Sequence, residues 1–318
     1  MKILFITHPY PNYVPDLLLH GLRKLLGPDV VDYPRKNCLY QGVLGLGVCP
    51  EDQKCPGWFP DDTGSIDRED IAKKAAAGYF KYIVCDCRAI AWLLSNLAGG
   101  KARLILIDGE DLPARIPPGN YIICRRETDG ADFSLPLPMA LPEEIFRWIS
   151  KYDHLEKKFS IGFLGSTNGG RRRKIVDDLG RIYSDTLFQT SIIPSADDPA
   201  PHGRANRDEY YRRLQKCRVV LSLAGAGHDT FRFWENAACN AVHLASRLPL
   251  YIPNDFTDRQ NILRFETVDE LKRKIDPILE KADRAQEIAA GSRRHLVAEH
   301  LTTRRAAYFL EKIERAYR

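Results

Sequence analysis

Short, near-continuous apolar runs alternate with amphipathic segments along the chain, and the alternation restarts after a proline-rich stretch. Strands that read as unbroken apolar runs belong in parallel sheets covered by helices on both faces. At 318 residues the chain is long for one ordinary core and suits two domains. These observations predict an α/β fold of two doubly wound, Rossmann-like domains facing a central cleft.

The elements justify this in order. "KILFIT" (2–7) is a strand, followed by the loop "HPYPNYVPD" and an amphipathic helix from about Asp16, the expected N-cap, to Leu26. "DVVDYP" (29–34) is a second strand. Residues 35–63 are rich in Gly, Pro and Cys without periodicity, and a loop this long is expected to be functional. "DREDIAKKAAAGYF" reads as a helix capped by Asp67, "KYIVCDC" (81–87) as a buried strand and "AIAWLLSNLAGG" as a helix. "ARLILIDGED" (102–111) and "NYIICRRE" (120–127) are further strands. "PLPMALPEEIF" (136–146), with three prolines, reads as a linker.

The second series runs "FSIGFLGS" (159–166) strand, "RRRKIVDDLGRIY" helix, "TLFQTSI" strand and "NRDEYYRRLQKC" helix. "RVVLSLAG" (218–225) strand, "DTFRFWENAACN" helix and "AVHLAS" (241–246) strand follow. Two helices close the chain, "VDELKRKIDPILEKA" and "RRHLVAEHLTTRRAAYFLEKIERAY". The expected domains are 1–140 and 141–295, with a final segment, 296–318, packing back towards the first.

Hydrophobic residues make up 44% and charged residues 28%, a globular rather than disordered composition. The apolar runs are far shorter than a membrane span. The N-terminus lacks the apolar region of a signal peptide, which predicts a cytoplasmic protein. Eight cysteines fit a reducing compartment, most in apolar segments and only Cys38, Cys49 and Cys55 in a loop, all expected as free thiols. A net charge of +5 suits anionic small molecules or a peripheral approach to an acidic membrane surface; it argues against nucleic acid. Oligomeric state is left open.

Ligands of open parallel sheets bind beyond the carboxyl ends of the strands. There the second series places "LAGAGHDTFRFWE". A helix N-terminus offers unpaired N–H groups and partial positive charge to a phosphate, and Gly225 and Gly227 let backbone approach it. Arg232 can contact a phosphate oxygen, and Glu235 can accept from a ribose diol. The plainer alternative is a glycine turn with a surface Arg–Glu pair. A second loop, Gly162, Gly165 and Ser166, leads into Arg171, Arg172, Arg173 and Lys174, cations that oppose the helix dipole unless an anion sits there. A solvated charge run is the alternative.

The segment "RDEYYRRLQKCRVVLSLAGAGHDTFRFWENAACNAVHLAS" resembles the donor-binding part of GT-B glycosyltransferases, and among them the bacterial group related to the spore-maturation protein CgeB. "FSIGFLGS…RRRK", "YIICRRE", "PLPMALPEE" and "HLVAEHLTTRRAAYFLEKI" resemble parts of that group in the same order. The resemblance implies a nucleotide-sugar donor on the second domain and an acceptor on the first, with UDP-sugar the favoured co-substrate. It implies a diphosphate site from Gly225–Gly227, Asp229, Thr230 and Arg232, joined by Gly165, Ser166, Arg171 and Arg173, with Glu235 on the ribose and no cofactor or metal. Many retaining members carry Glu, seven residues, Glu; here the first position is Gly227, and Asn240 replaces a glycine after the helix, so the stereochemistry stays open.

An inverting enzyme needs a base beside the acceptor hydroxyl. Asp108, Asp111 and His8 are the candidates, with Asp16, Asp86 and Glu110 also at strand ends; Asp108 or Asp111 capping a turn is the alternative. Arg125 and Asp86 are candidate acceptor or phosphate contacts. His20 is expected to pack, and His295 and His300 to be surface or interdomain contacts. Trp58 is expected either to stack on an acceptor or to fill space. The implied function is metal-independent transfer of a sugar to an unidentified acceptor, with a glycan, a lipid-linked intermediate, a protein and a small molecule left open. A nucleotide-sugar epimerase and a non-catalytic sugar or nucleotide binder are the rival readings.

Overall fold

The structure is a computed structural model that describes residues 1–41, 58–60, 64–97, 100–167, 170–189 and 207–317. The chain forms two compact units, each around its own parallel sheet. Unit 1 comprises Met1–Pro142, Pro249–Pro253 and His300–Arg318; unit 2 comprises Glu143–Leu248 and Asn254–Glu299.

Unit 1 runs β1 (Ile3–Ile6), α1 (Tyr13–Leu26), β2 (Val30–Tyr33), α2 (Ile71–Ala76), β3 (Tyr82–Asp86), α3 (Ile90–Leu97), β4 (Arg103–Asp108), β5 (Ile122–Arg125) and β6 (Leu135–Pro136). The sheet order is β2-β1-β3-β4-β5-β6, all parallel. β1, β3 and the end of β4 are buried on both faces, as continuous apolar runs require. The chain leaves β1 towards β2 and then returns to its other side as β3. The order therefore reverses between β1 and β3.

Unit 2 runs α4 (Glu143–Ser150), β7 (Phe159–Leu164), α5 (Gly170–Ile182), β8 (Thr186–Gln189), α6 (Arg207–Gln215), β9 (Cys217–Ser222), α7 (Phe231–Ala238), β10 (Val242–Ser246), β11 (Leu263–Phe265), α8 (Val268–Glu280) and α9 (Ala282–His295). Its order is β11-β10-β9-β7-β8, again all parallel. This sheet reverses between β7 and β9. Ile161, Phe163, Val219, Leu221, Val242 and Leu244 from three of its strands build the core with Ile175, Leu179, Leu271 and Ile275 from α5 and α8.

Several expected elements differ. α1 begins three residues before Asp16, which lies in its first turn and accepts the Asn12 N–H at 2.9 Å. Asp67 does not cap α2; it accepts the Glu69 N–H, and the helix begins after Asp70, a left-handed residue. The expected linker 136–146 ends in α4, whose Glu143 and Glu144 suit a first turn and whose Ile145 and Ile149 are buried. The long last helix is broken: α9 ends at His295, a π-helical turn spans Leu296–His300, and α10 (Thr302–Ala316) belongs to unit 1.

α10 is held against α1. A Cβ on Gly21 would lie 2.1 Å from the Thr302 carbonyl oxygen, so only glycine lets the two helices come this close. His20 shares a hydrogen bond of 2.9 Å with the Thr302 hydroxyl and stacks on Phe59, which fits its expected packing role. Trp58 is half-buried, with its ring centroid 5.0 Å from that of His20. His300, expected as a surface or interdomain contact, is not a surface group: it is fully buried and bonded to Arg305 at 3.1 Å. Cys38 and the five buried cysteines described are free thiols; Cys49 and Cys55 lie outside the described residues.

Candidate functional site

Where strand order reverses in an open parallel sheet, the loops leaving two neighbouring strands diverge and open a crevice at their carboxyl ends. In unit 2 those loops are 165–167, after β7, and 223–230, after β9, the two glycine loops singled out in the sequence.

Arginines occupy the space that the glycines leave. A Cβ on Gly165 would lie 1.9 Å from Arg232 Nη2, and one on Gly225 would lie 2.8 Å from Arg172 Nη2. The glycines therefore make room for guanidinium groups at least as much as for an approaching anion, a correction to the role expected of Gly225. Arg232, on the first turn of α7, donates from Nε to the Leu164 carbonyl at 2.9 Å and lies over the Phe163 ring. Its Nη1 and Nη2 have no hydrogen-bond partner among the described residues. That leaves a fixed guanidinium edge with free donors at the crevice.

Arg172 plays a different part, which sequence reasoning missed by weighting its neighbours. It donates to the carbonyls of Ala224 at 2.5 Å, Leu223 at 2.8 Å and Ser166 at 3.1 Å, tying the two loops together. Burial, and then the charge of Arg232, lower its pKa to about 10. Neither guanidinium makes an ion pair with a carboxylate among the described residues, and two converging cations favour an anion. Arg173 is exposed, and Arg171 reaches the Glu266 carbonyl at 3.3 Å.

Thr230 is the N-cap of α7 and its side chain makes no capping bond. Gly227 accepts the Gly225 N–H at 2.8 Å, closing the loop. Asp229 is turned inward, where it accepts the Trp234 indole N–H at 2.8 Å and so holds the loop. Glu235 is buried; its two oxygens accept the Tyr211 hydroxyl at 2.8 Å and the Tyr210 hydroxyl at 3.1 Å. Burial pushes the Glu235 carboxyl up, against the opposing pull of Tyr211, Arg207 and Arg232. Each oxygen keeps a second lone pair for a diol. The tyrosine pair was legible only as helix positions on α6.

Unit 1 has its own reversal, between β1 and β3, flanked by His8 and Asp86. Asp86 is 1% exposed; its Oδ1 accepts the Arg88 N–H at 3.0 Å, while its Oδ2 is buried without a partner among the described residues. Burial raises its pKa. His8 is half-buried and accepts the Tyr10 N–H at Nδ1. Its loop is fixed by Lys36, 1% exposed, whose ammonium reaches the His8 and Tyr10 carbonyls at 2.6 and 2.8 Å and the Asp16 carboxylate at 3.0 Å. Burial lifts Asp16 to about 6.

The acids ranked first in the sequence are engaged elsewhere. Asp108 accepts the N–H groups of Ala114 at 2.9 Å and Glu110 at 3.3 Å and faces Arg125 at 3.3 Å, the turn-capping alternative. Asp111, half-exposed, pairs with Arg126 at 2.7 Å. Glu110 pairs with Arg88 at 2.5 Å. Arg125 is occupied by Asp108 and Asp132.

Residues 172–311 match the family described as "Glycosyl transferase-like". A glycosyltransferase of Rickettsia africae is 9% identical, with 98% of this chain and 97% of that one covered at a TM-score of 0.62. HepE of Anabaena, in complex with UDP and glucose, is 11% identical with 99% of each chain covered and a TM-score of 0.62. Sucrose-phosphate synthase of Thermosynechococcus elongatus is 11% identical, with 100% and 99% covered and a TM-score of 0.54. The chain has the two-domain α/β fold of these glycosyltransferases, and residues 172–311 carry the family match. The family match begins at Arg172, the residue that ties the two glycine loops together, and runs into α10. No significant match appears among curated proteins. Among the described residues, no helix is long and apolar enough to cross a membrane.

Proposed function

We propose that this protein is a glycosyltransferase that takes a UDP-sugar on unit 2 and passes the sugar to an acceptor hydroxyl without a metal, with inversion. Nη1 and Nη2 of Arg232, without a partner among the described residues at the β7/β9 reversal, carry the reading. There Arg232, the α7 N-terminus and Arg172 as a fixed neighbouring cation would neutralise the diphosphate as charge develops on it. Glu235 would accept from the ribose. HepE was seen with UDP and glucose, which supports a uridine donor here. The Asp229–Glu235 run supports membership of the group related to the spore-maturation protein.

In this reading Asp86 is the base, ahead of Asp108, Asp111 and His8. Its buried, unpartnered Oδ2 and raised pKa suit a group that accepts a proton. The acceptor oxygen attacks the anomeric carbon, its proton passes to Asp86, and the bond to the β-phosphate oxygen breaks with its electron pair on UDP. Gly227 stands where many retaining members carry glutamate, which also favours inversion.

Calorimetric titration with UDP-, GDP-, dTDP- and CMP-sugars tests the donor assignment, with UDP-sugar expected to bind tightest. NMR of the anomeric product tests the chemistry. A retained configuration would remove Asp86 from its role.

A further inference from the structure

The amino ends of the unit 1 strands, opposite His8, Asp86 and Asp108, hold a cavity of about 480 Å³. Lys2 precedes β1, Lys81 precedes β3, and Lys101 and Arg103 stand at the start of β4; Tyr79 and Phe80 complete the wall, and no acidic side chain lines it. A parallel sheet starts all its strands at one edge, so basic residues just before or at the starts of three neighbouring strands are gathered into one cluster.

The charges are only partly balanced. Lys2 pairs with Asp29 at 2.6 Å and Lys81 with Glu314 at 3.2 Å, both acids outside the lining. Lys101 and Arg103 have no carboxylate partner among the described residues. Arg103 is steadied by its guanidinium carbon lying 4.9 Å from the Tyr317 ring centroid, and Lys2 lies 5.7 Å from the Tyr79 ring centroid. Folding that concentrates cations in a concave site is stabilised by a bound anion, and a planar guanidinium beside ammonium groups matches the several oxygens of a phosphate.

We infer that this cavity binds a phosphate group, at a site separate from the donor and acceptor ends of the sheets. A free phosphate compound and an anionic lipid headgroup offer the same chemistry, and one experiment tells them apart. The intact protein is titrated with inorganic phosphate, followed by NMR shifts of the Lys101 and Arg103 amides. In parallel it is sedimented with phosphatidylcholine vesicles, with and without phosphatidylglycerol. The double variant Lys101→Glu/Arg103→Glu goes through both assays, with Lys101→Gln as a milder change at an exposed residue.

Saturable binding to phosphate alone assigns a free phosphate compound; binding only to the phosphatidylglycerol vesicles assigns a headgroup. Either is expected to weaken at least tenfold in the double variant, since each basic residue near an anionic surface contributes about fivefold. It should also fade near 1 M salt, where the screening length falls to about 3 Å. UDP-sugar affinity is expected to stay unchanged, which separates this site from the donor site. Absence of binding in both assays, or wild-type binding by the folded variants, overturns the assignment.

Discussion

Gly165 and Arg232 are fitted to one another: a methyl group on the glycine would sit 1.9 Å from Arg232 Nη2. The Arg232 Nε–H donates to the Leu164 carbonyl at 2.9 Å, which ties the helix after β9 to the end of β7 across the reversal of the sheet. Several consequences are open to measurement.

Gly165→Ala is expected to displace Arg232 while unit 2 stays folded. Hydrogen bonds to a charged group are worth about 1.5–3 kcal/mol, so UDP-sugar affinity should fall roughly tenfold or more. Titration calorimetry with a circular-dichroism control checks this.

Asp86→Asn keeps the shape of the side chain and removes its basicity. Turnover is expected to fall by about 10²–10⁴ with donor affinity unchanged. Asp108→Asn serves as contrast: Asp108 holds two backbone N–H groups, so its loss should lower stability more than it lowers donor affinity.

His243 is fully buried beside Phe233, and burial, followed by the charge of Arg264, lowers its pKa to about 3. The unfolded chain takes up this proton near pH 6.5, so the group contributes stability above that pH and loses it as pH falls towards 3. The slope is about 1.4 kcal/mol for each pH unit crossed. Denaturant unfolding between pH 7 and 4 should show a shallower acid limb in His243→Gln than in wild type.

Gly21→Ala places a Cβ 2.1 Å from a backbone oxygen at the α1–α10 contact. Overpacking of this kind costs about 1–3 kcal/mol. A lowered melting temperature with α10 amides losing hydrogen-exchange protection first is the expected pattern.

The sheets were legible because their strands, such as β3 and β9, are apolar nearly throughout and flanked by helices of clear period. Short or weakly patterned elements were not. β6 has two residues and β11 three, and α9 carries Gly291 and a run of small and charged side chains. In the candidate site, the glycine loops and the Arg–Glu spacing stood out because they break the apolar pattern. The division of labour among Arg171, Arg172 and Arg173 did not, since adjacent arginines look alike until one is turned inward onto three carbonyls. The choice among Asp86, Asp108 and Asp111 likewise depends on which carboxylate the fold satisfies with N–H groups and arginines.

The most direct test of the donor assignment compares UDP-sugar titrations of wild type and Arg232→Ala by thermal shift. At a hundredfold excess over the dissociation constant, a bound ligand stabilises the folded state by about 2.7 kcal/mol. The account predicts that gain for wild type and almost none for the variant, whose melting curve without ligand stays close to wild type. Equal stabilisation of the two proteins would contradict it.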